Sequence, residues 1–294
     1  MLNEMITGTL QLIPKSIVYR VARRYIAGET LSDAVREVKA LNALGATATM
    51  DVLGEFVKTH AQAVAATNMA LQMLDAIEEH KLTSGISVKL TSLGLDIDEN
   101  FCYTNLRSIV KSASARERFV RIDMENSPYT SRTLELYKRL RKDGFENTGV
   151  VLQSRLRRSA ADLMSLVEFK AKVRICKGIY IEPPAIAYQS SEEIRENYKK
   201  LLIFLFEHKM HVAIATHDDS LVAFAKDWIS SIDKSTYEFQ MLLGVREALR
   251  DSLLKEGYKV RVYVPFGKDW YGYSMRRLKE NPEIAAYVFK AMFS

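Results

Sequence analysis

The sequence predicts an α/β protein built as a TIM-like (β/α)8 barrel with helices ahead of it. Three observations carry this. Eight short runs rich in β-branched and apolar residues recur after Gly45. Longer amphipathic segments separate them, the connection parallel strands require, because a two-residue hairpin joins only antiparallel neighbours. At 294 residues the chain suits a barrel, which forms as one domain of about 250 residues.

The elements follow in order. From Met1 to about Leu44 the pattern is helical, and across Leu31–Lys39 apolar positions recur at three and four residues. Residues 1–44 are therefore a helical extension, 45–281 the catalytic barrel and 282–294 an apolar helical tail. The predicted strands are Ala46 to Leu53, Ile86 to Leu93, Phe119 to Met124, Gly149 to Gln153, Val173 to Lys177, His211 to Thr216, Tyr237 to Leu242 and Val260 to Val264. Crossover helices are predicted at Ser131–Lys142, Ser191–Glu207, Leu221–Ile229 and Val245–Glu256.

A flavodoxin-like fold would use about five strands, and a dinucleotide-binding fold would place GxGxxG after its first strand. None of the 13 glycines is followed by another two residues later, and no P-loop is present.

Composition narrows the class. With 48% hydrophobic and 27% charged residues the chain is expected to be soluble and globular. Cys102 and Cys176 form no CxxC pair, so a disulfide framework is not indicated and a reducing cytoplasm is expected. No apolar run reaches membrane-spanning length and no signal peptide pattern opens the chain. The net charge of +6 is dispersed among many acids, so no nucleic-acid partner is expected.

What ends each apolar run is informative: Asp51, Lys89, Asp123 with Glu125, Gln153, Arg174 with Lys177, Thr216-His217-Asp218, Gln240 and Tyr263. Any one polar strand end is explained by its reaching the surface. Eight together would converge on a single barrel mouth.

The helix after the eighth run carries Arg276, Arg277 and Glu280. Glu280 follows the arginines by four and three residues, so one turn can hold it against either guanidinium. Such a group suits a carboxylate ligand. It equally describes a solvated helix with ion pairs worth roughly 0.2 to 0.5 kcal/mol each.

His208 and His211 straddle a predicted helix end and strand start, and read as incidental. His217-Asp218-Asp219 could supply metal ligands, as in metal-dependent barrel hydrolases, but no His-x-His lies near the first strand. No GxSxG elbow is present, and Cys176 has no activating base near it in sequence.

Taken together, the blocks Ser87-Val88-Lys89-Leu90-Thr91, Arg121-Ile122-Asp123-Met124-Glu125, Val151-Leu152-Gln153, Arg174 to Tyr180, Ala215-Thr216-His217-Asp218, Glu238 to Leu242, Arg261 to Gly267 and Arg276 to Asn281 resemble proline dehydrogenase. The resemblance runs from about Thr30 to Pro282. It implies a distorted (β/α)8 barrel, with FAD bound noncovalently at its mouth.

By matching position, the resemblance implies that Arg276 and Arg277 bind the proline carboxylate, with Glu280 and Lys89 completing their ion-pair network. It has Tyr263 and Leu242 pack on the pyrrolidine ring, Tyr180 shape the same pocket, and Asp123 fix the network's geometry. On the cofactor side it puts Arg174 near flavin N5, Gln153 on the isoalloxazine, and Lys177, Thr216 and His217 on the ribityl and phosphate parts. Gln240 and Cys176 join that side. No metal is implied.

The implied chemistry moves a hydride equivalent from proline to flavin, giving Δ1-pyrroline-5-carboxylate, with electrons passed on to a membrane quinone. A separate pyrroline-5-carboxylate dehydrogenase is expected downstream. Cys176, Ile179 and Ile181 replace the family's more usual valine, alanine and tryptophan, which removes an aromatic cofactor contact at Ile181. The apolar tail from Ile284 to Phe293 could dock on the barrel or touch the inner face of the cytoplasmic membrane. A metal-dependent hydrolase using His217 and Asp218, and a barrel that only binds a carboxylated ligand, are the competing readings.

Overall fold

The computed structural model describes Tyr19 and residues 22–280, with side chains up to Met275. Strands β1 (Thr47–Val52), β2 (Ser84–Val88), β3 (Val120–Ile122), β4 (Thr148–Gln153), β5 (Lys172–Cys176), β6 (Val212–Ala215), β7 (Tyr237–Leu242) and β8 (Val260–Phe266) run parallel in sequence order. The barrel closes where β1 pairs with β8, Thr47 opposite Arg261 through Val52 opposite Phe266.

Helix α1 (Leu31–Ala43) precedes β1, its first turn fixed by a reciprocal Thr30–Asp33 capping box. Its Ala34, Val35, Val38 and Leu41 join the same core as the barrel. The connecting helices are α2 (His60–Glu79), α3 (Glu99–Ala115), α4 (Ser127–Lys142), α5 (Ser159–Met164), α6 (Ser191–Glu207), α7 (Asp219–Ile229) and α8 (Glu247–Lys255). Asp98, Ser190 and Asp218 accept backbone N–H bonds at the starts of α3, α6 and α7, satisfying donors the helix cannot.

Strand residues alternate in direction, and the alternation is chemical. Met50, Ile86, Val88, Val120, Ile122, Val150, Val173, Ile175, Val212, Ile214, Phe239, Val262 and Val264 pack in the core under the helices. Their neighbours Asp51, Ser87, Asp123, Gln153, Arg174, Glu238 and Gln240 are buried and polar. Many barrels fill their interior with layers of aliphatic side chains; this one fills it with ion pairs and amides. Gly149 leaves room for the Arg121 guanidinium, which donates to the Val150 and Lys172 carbonyls: a Cβ there would meet the Lys172 carbonyl and, at 2.7 Å, Arg121 Nη1.

The second predicted strand was set too late in the chain. β2 ends at Val88, and Leu90–Leu93 form a 3-10 turn, because Lys89 turns aside to meet acidic partners and Gly94 closes the turn in the left-handed region. Helix α9 (Trp270–Glu280) follows β8. Its Tyr273 packs with Ala22, Tyr25, Ile26 and Leu53, a separate apolar cluster at the carboxyl end of β1. The predicted helix before about Tyr19 and the tail 282–294 lie outside the described residues.

Candidate active site

At the carboxyl ends of the strands lies a cavity of about 590 Å³. Of the predicted site residues, Lys89, Asp123, Gln153, Arg174, Cys176, Lys177, Tyr180, Thr216, His217, Gln240, Leu242 and Tyr263 all line it. Arg276, Arg277 and Glu280 fall on the last turns of α9, and their side chains lie outside the described residues. Tyr273, earlier on that helix, lines the cavity, so α9 borders the mouth.

Lys89 anchors one wall. Its Nζ donates to Asp51 Oδ1 and Oδ2 at 2.9 and 2.8 Å and to the Tyr263 hydroxyl at 3.3 Å, with Asp123 Oδ2 at 3.6 Å. Burial alone would depress the Lys89 ammonium, but Asp51 and Asp123 outweigh it and hold the proton on.

Asp123 joins the two sides. Oδ1 accepts from Ser87 Oγ at 2.6 Å and Arg174 Nη1 at 2.7 Å, and Oδ2 accepts from the Tyr263 hydroxyl at 2.9 Å. Burial opposes its charge, yet Arg174 and Lys89 prevail and keep its carboxyl below the usual range. Burial, reinforced by Asp123 and Asp51, pushes the Tyr263 phenol well above its ordinary value, so Tyr263 stays a donor. Arg174 also lies over the Tyr263 ring, 5.5 Å from its centroid, the range of a cation–π contact.

The opposite wall holds Gln153, whose Nε2 donates to the Glu125 carbonyl at 2.9 Å. That orients its own carbonyl oxygen toward Gly178, where a Cβ would meet it at 2.6 Å. Gly178, at φ +94, therefore keeps this stretch of the cavity wall as bare backbone. Further round, Lys177 Nζ and Arg195 Nε both donate to Asp218 Oδ2, the latter at 2.7 Å. Thr216 Oγ1 accepts from the Asp218 N–H at 3.1 Å. His217 Nε2 accepts from the Leu242 N–H at 3.0 Å, which puts the ring proton of a neutral imidazole on Nδ1.

These contacts correct two expectations. Arg174, Gln240 and Tyr263 are not strand ends; all three sit within their strands, with Arg174 and Gln240 buried inside the barrel at 8% and 6% exposure. The His217-Asp218 pair offered to a metal is committed elsewhere, His217 to Leu242 and Asp218 to Lys177, Arg195 and the start of α7. Among the described residues no three metal-ligating side chains gather.

Sequence reasoning also missed residues. Asp51 was visible as a polar strand end but had no task, because its partner Lys89 follows a different strand, 38 residues away. Arg155 lines the cavity with its Nε buried and unpartnered; its position two residues beyond Gln153 was the available signal. Glu55 and Tyr273 line it too, and no pattern in the sequence marks them.

A closed parallel barrel with a cavity at the carboxyl ends of its strands, walled by cations, amides and aromatic rings, has the form of a (β/α)8-barrel enzyme. The comparisons with known proteins specify which. A model of the family described as proline dehydrogenase matches residues 34–288. "Proline dehydrogenase 1" of Bacillus subtilis (strain 168) is 39% identical over 92% of this chain and 90% of its own length. "Proline dehydrogenase" of Deinococcus radiodurans is 34% identical over 96% of this chain and 93% of its own. Among solved structures, proline utilization A from Bdellovibrio bacteriovorus inactivated by N-propargylglycine superposes with a TM-score of 0.81 at 27% identity, covering 90% of this chain and 33% of that one. The chain belongs to the proline dehydrogenase family, and is an oxidoreductase acting on proline.

Proposed function

We propose that the enzyme oxidises L-proline to Δ1-pyrroline-5-carboxylate with noncovalently bound FAD, and that the electrons pass to a membrane quinone. The observation that carries this reading is the cavity at the carboxyl ends of the strands, in which a paired Lys89 and Tyr263 meet Arg174 through Asp123.

The residues fit a dinucleotide flavin. The unpartnered Nε of Arg155 and the cationic Lys177 suit a phosphate. The bare backbone at Gly178 allows a flat ring to approach closely, and Gln153 presents an oriented amide beside it. Lys177, Thr216 and His217 would hold the ribityl and phosphate parts, with Cys176 and Gln240 alongside, and Gln153 and Arg174 the isoalloxazine. When bound, FAD supplies the two-electron acceptor that no side chain can be.

The chain's own residues bind and orient the substrate. Arg276 and Arg277 would take the proline carboxylate, braced by Glu280 and Lys89, while Tyr263, Leu242 and Tyr180 enclose the ring. Oxidation removes one hydrogen with its electron pair from the carbon beside nitrogen, and one proton from nitrogen, leaving a C=N bond. The protein's contribution is orientation and a fixed electrostatic frame. Among the described residues no helix is long and apolar enough to cross a membrane; in this reading the enzyme is cytoplasmic and meets its quinone at the membrane's inner face. The pyrroline product is then oxidised by a separate pyrroline-5-carboxylate dehydrogenase.

An absorption spectrum tests the reading. The purified protein should show the two visible bands of oxidised flavin, as isolated or after added FAD, and L-proline should bleach them. A protein that remains colourless with added FAD overturns the cofactor; bands that proline does not bleach overturn the substrate.

A further inference from the structure

Charge runs deeper into the barrel than the cavity requires. Glu238 and Gln240 are two residues apart on β7, so both side chains point inward, and both are buried. Gln240 Nε2 donates to Glu238 Oε1 at 2.6 Å, and Arg261 Nε donates to the same oxygen at 2.8 Å. At its other end Gln240 Oε1 accepts from Arg174 Nε. Arg174 Nη1 donates to Asp123, so two of its three nitrogens are held by the barrel interior.

A primary amide has one accepting and one donating end of nearly equal size, and only its partners decide which faces where. Glu238 is such a partner. Burial opposes its charge, but Arg261 outweighs burial and holds its carboxyl at about 2; ionised, it can only accept. Were Gln240 reversed, its carbonyl would oppose the Glu238 carboxylate and its NH2 would oppose the Arg174 Nε–H.

We propose that Glu238 is a positioning residue: by accepting from Gln240 Nε2 it points the Gln240 carbonyl at Arg174 Nε, and so aims the Arg174 guanidinium into the cavity. Neither Glu238 nor Arg261 lines that cavity, so the action on the substrate side passes through Gln240 and Arg174. The inference rests on the reading that Arg174 faces the flavin.

The test compares E238Q, Q240M and R174M in the flavin-bound protein. A glutamine at 238 can donate or accept, so both orientations of Gln240 become satisfiable; a methionine at 240 keeps the bulk and removes the amide. E238Q and Q240M should each lower kcat roughly 10- to 100-fold, the penalty of slight misplacement, with KM for proline within a factor of about two. Both should lower the midpoint potential of the bound flavin, as R174M does, and both should shift the guanidinium Nε–H resonance that R174M abolishes.

If R174M lowers the potential while E238Q and Q240M leave it and the resonance in place, the relay is overturned and the role of Arg174 stands. If R174M leaves the potential unmoved, both are overturned. A shift in E238Q without one in Q240M overturns the relay as well, since Glu238 then acts through some other contact. Should E238Q fail to fold because Arg261 is left unpaired, E238Q/R261M removes both charges together and takes its place.

Discussion

Lys89 Nζ sits within 2.9 Å of both carboxylate oxygens of Asp51, and the two side chains are only 10% and 2% exposed. Burial pushes the Asp51 carboxyl above its usual range against the pull of Lys89, while Asp51 and Asp123 hold the proton on the Lys89 ammonium. The contact is a pair across neighbouring strands, and it fixes the ammonium at the cavity wall with Tyr263 and Asp123 beyond it.

Breaking this pair from one side should cost more than removing it whole. Asp51→Asn leaves Lys89 with Asp123 at 3.6 Å and the Tyr263 hydroxyl at 3.3 Å. A buried pair stripped of one partner loses about 3 to 5 kcal/mol, and the remaining Asp123 puts D51N at the lower end. Urea unfolding of D51N, K89M and D51N/K89M should show the double variant less destabilised than the sum of the singles. Strict additivity would mean that the two side chains do not stabilise each other.

Glu125 gives the fold a pH dependence of known sign. Its carboxylate accepts from the Thr91 N–H at 3.1 Å and from the Thr91 hydroxyl. Burial pushes its carboxyl up to about 7 from an ordinary 4.5, against those bonds. A raised value means that the folded form holds the extra proton, so this contribution to stability is full below pH 4.5 and lost as pH rises through 7. Glu125→Gln cannot titrate, and its stability relative to the parent should increase by up to on the order of 3 kcal/mol from about pH 5 to 8. Calorimetry of both proteins across that range checks it; a difference in Tm that does not change with pH refutes it.

Much of this was legible in the sequence, and the rest was not, for a physical reason. The eight strands and helices such as Ser191–Glu207 follow from local periodicity, which a linear reading captures. So does the gathering of Lys89, Asp123 and Gln153 at one mouth, because barrel closure brings strand ends together. Pairings across the barrel are different: nothing near Asp51 announces Lys89, and nothing near Arg174 announces Gln240, 66 residues away. The strand boundary at Val88 was misplaced because Leu90 and Leu93 read as further buried strand positions while the backbone has already turned into a 3-10 helix.

Substitution of the arginine pair on α9 would separate substrate binding from cofactor binding. If Arg276 and Arg277 hold the proline carboxylate, Arg276→Met or Arg277→Met removes charge-assisted bonds worth roughly 1.5 to 3 kcal/mol each. KM for proline should rise about 10- to 100-fold while the flavin content of the purified protein stays at the parent level. Kinetics indistinguishable from the parent would remove the carboxylate from these residues; loss of flavin in both would move them to the cofactor side.

Lys177 sits where two cations share one carboxylate. Asp218 Oδ2 accepts from Lys177 and from Arg195 Nε, and its other oxygen accepts from the Ser220 N–H at 3.1 Å. Burial opposes the Asp218 charge, but the bonds from Lys177, Ser220 and Arg195 prevail and hold its carboxyl well below the usual range, so it stays an anion and keeps Lys177 in place. A phosphate placed beside Lys177 gains a cation already ordered, which saves the entropy of fixing a long side chain. Lys177→Met should therefore weaken FAD binding about 10- to 100-fold. Since part of the lost attraction is screened by ions, the parent's affinity should also fall more steeply with salt than the variant's. Fluorescence titration of flavin-stripped protein at two salt concentrations measures both; equal affinity and equal salt dependence would place the phosphates away from Lys177 and leave Arg155 as the cation to replace next.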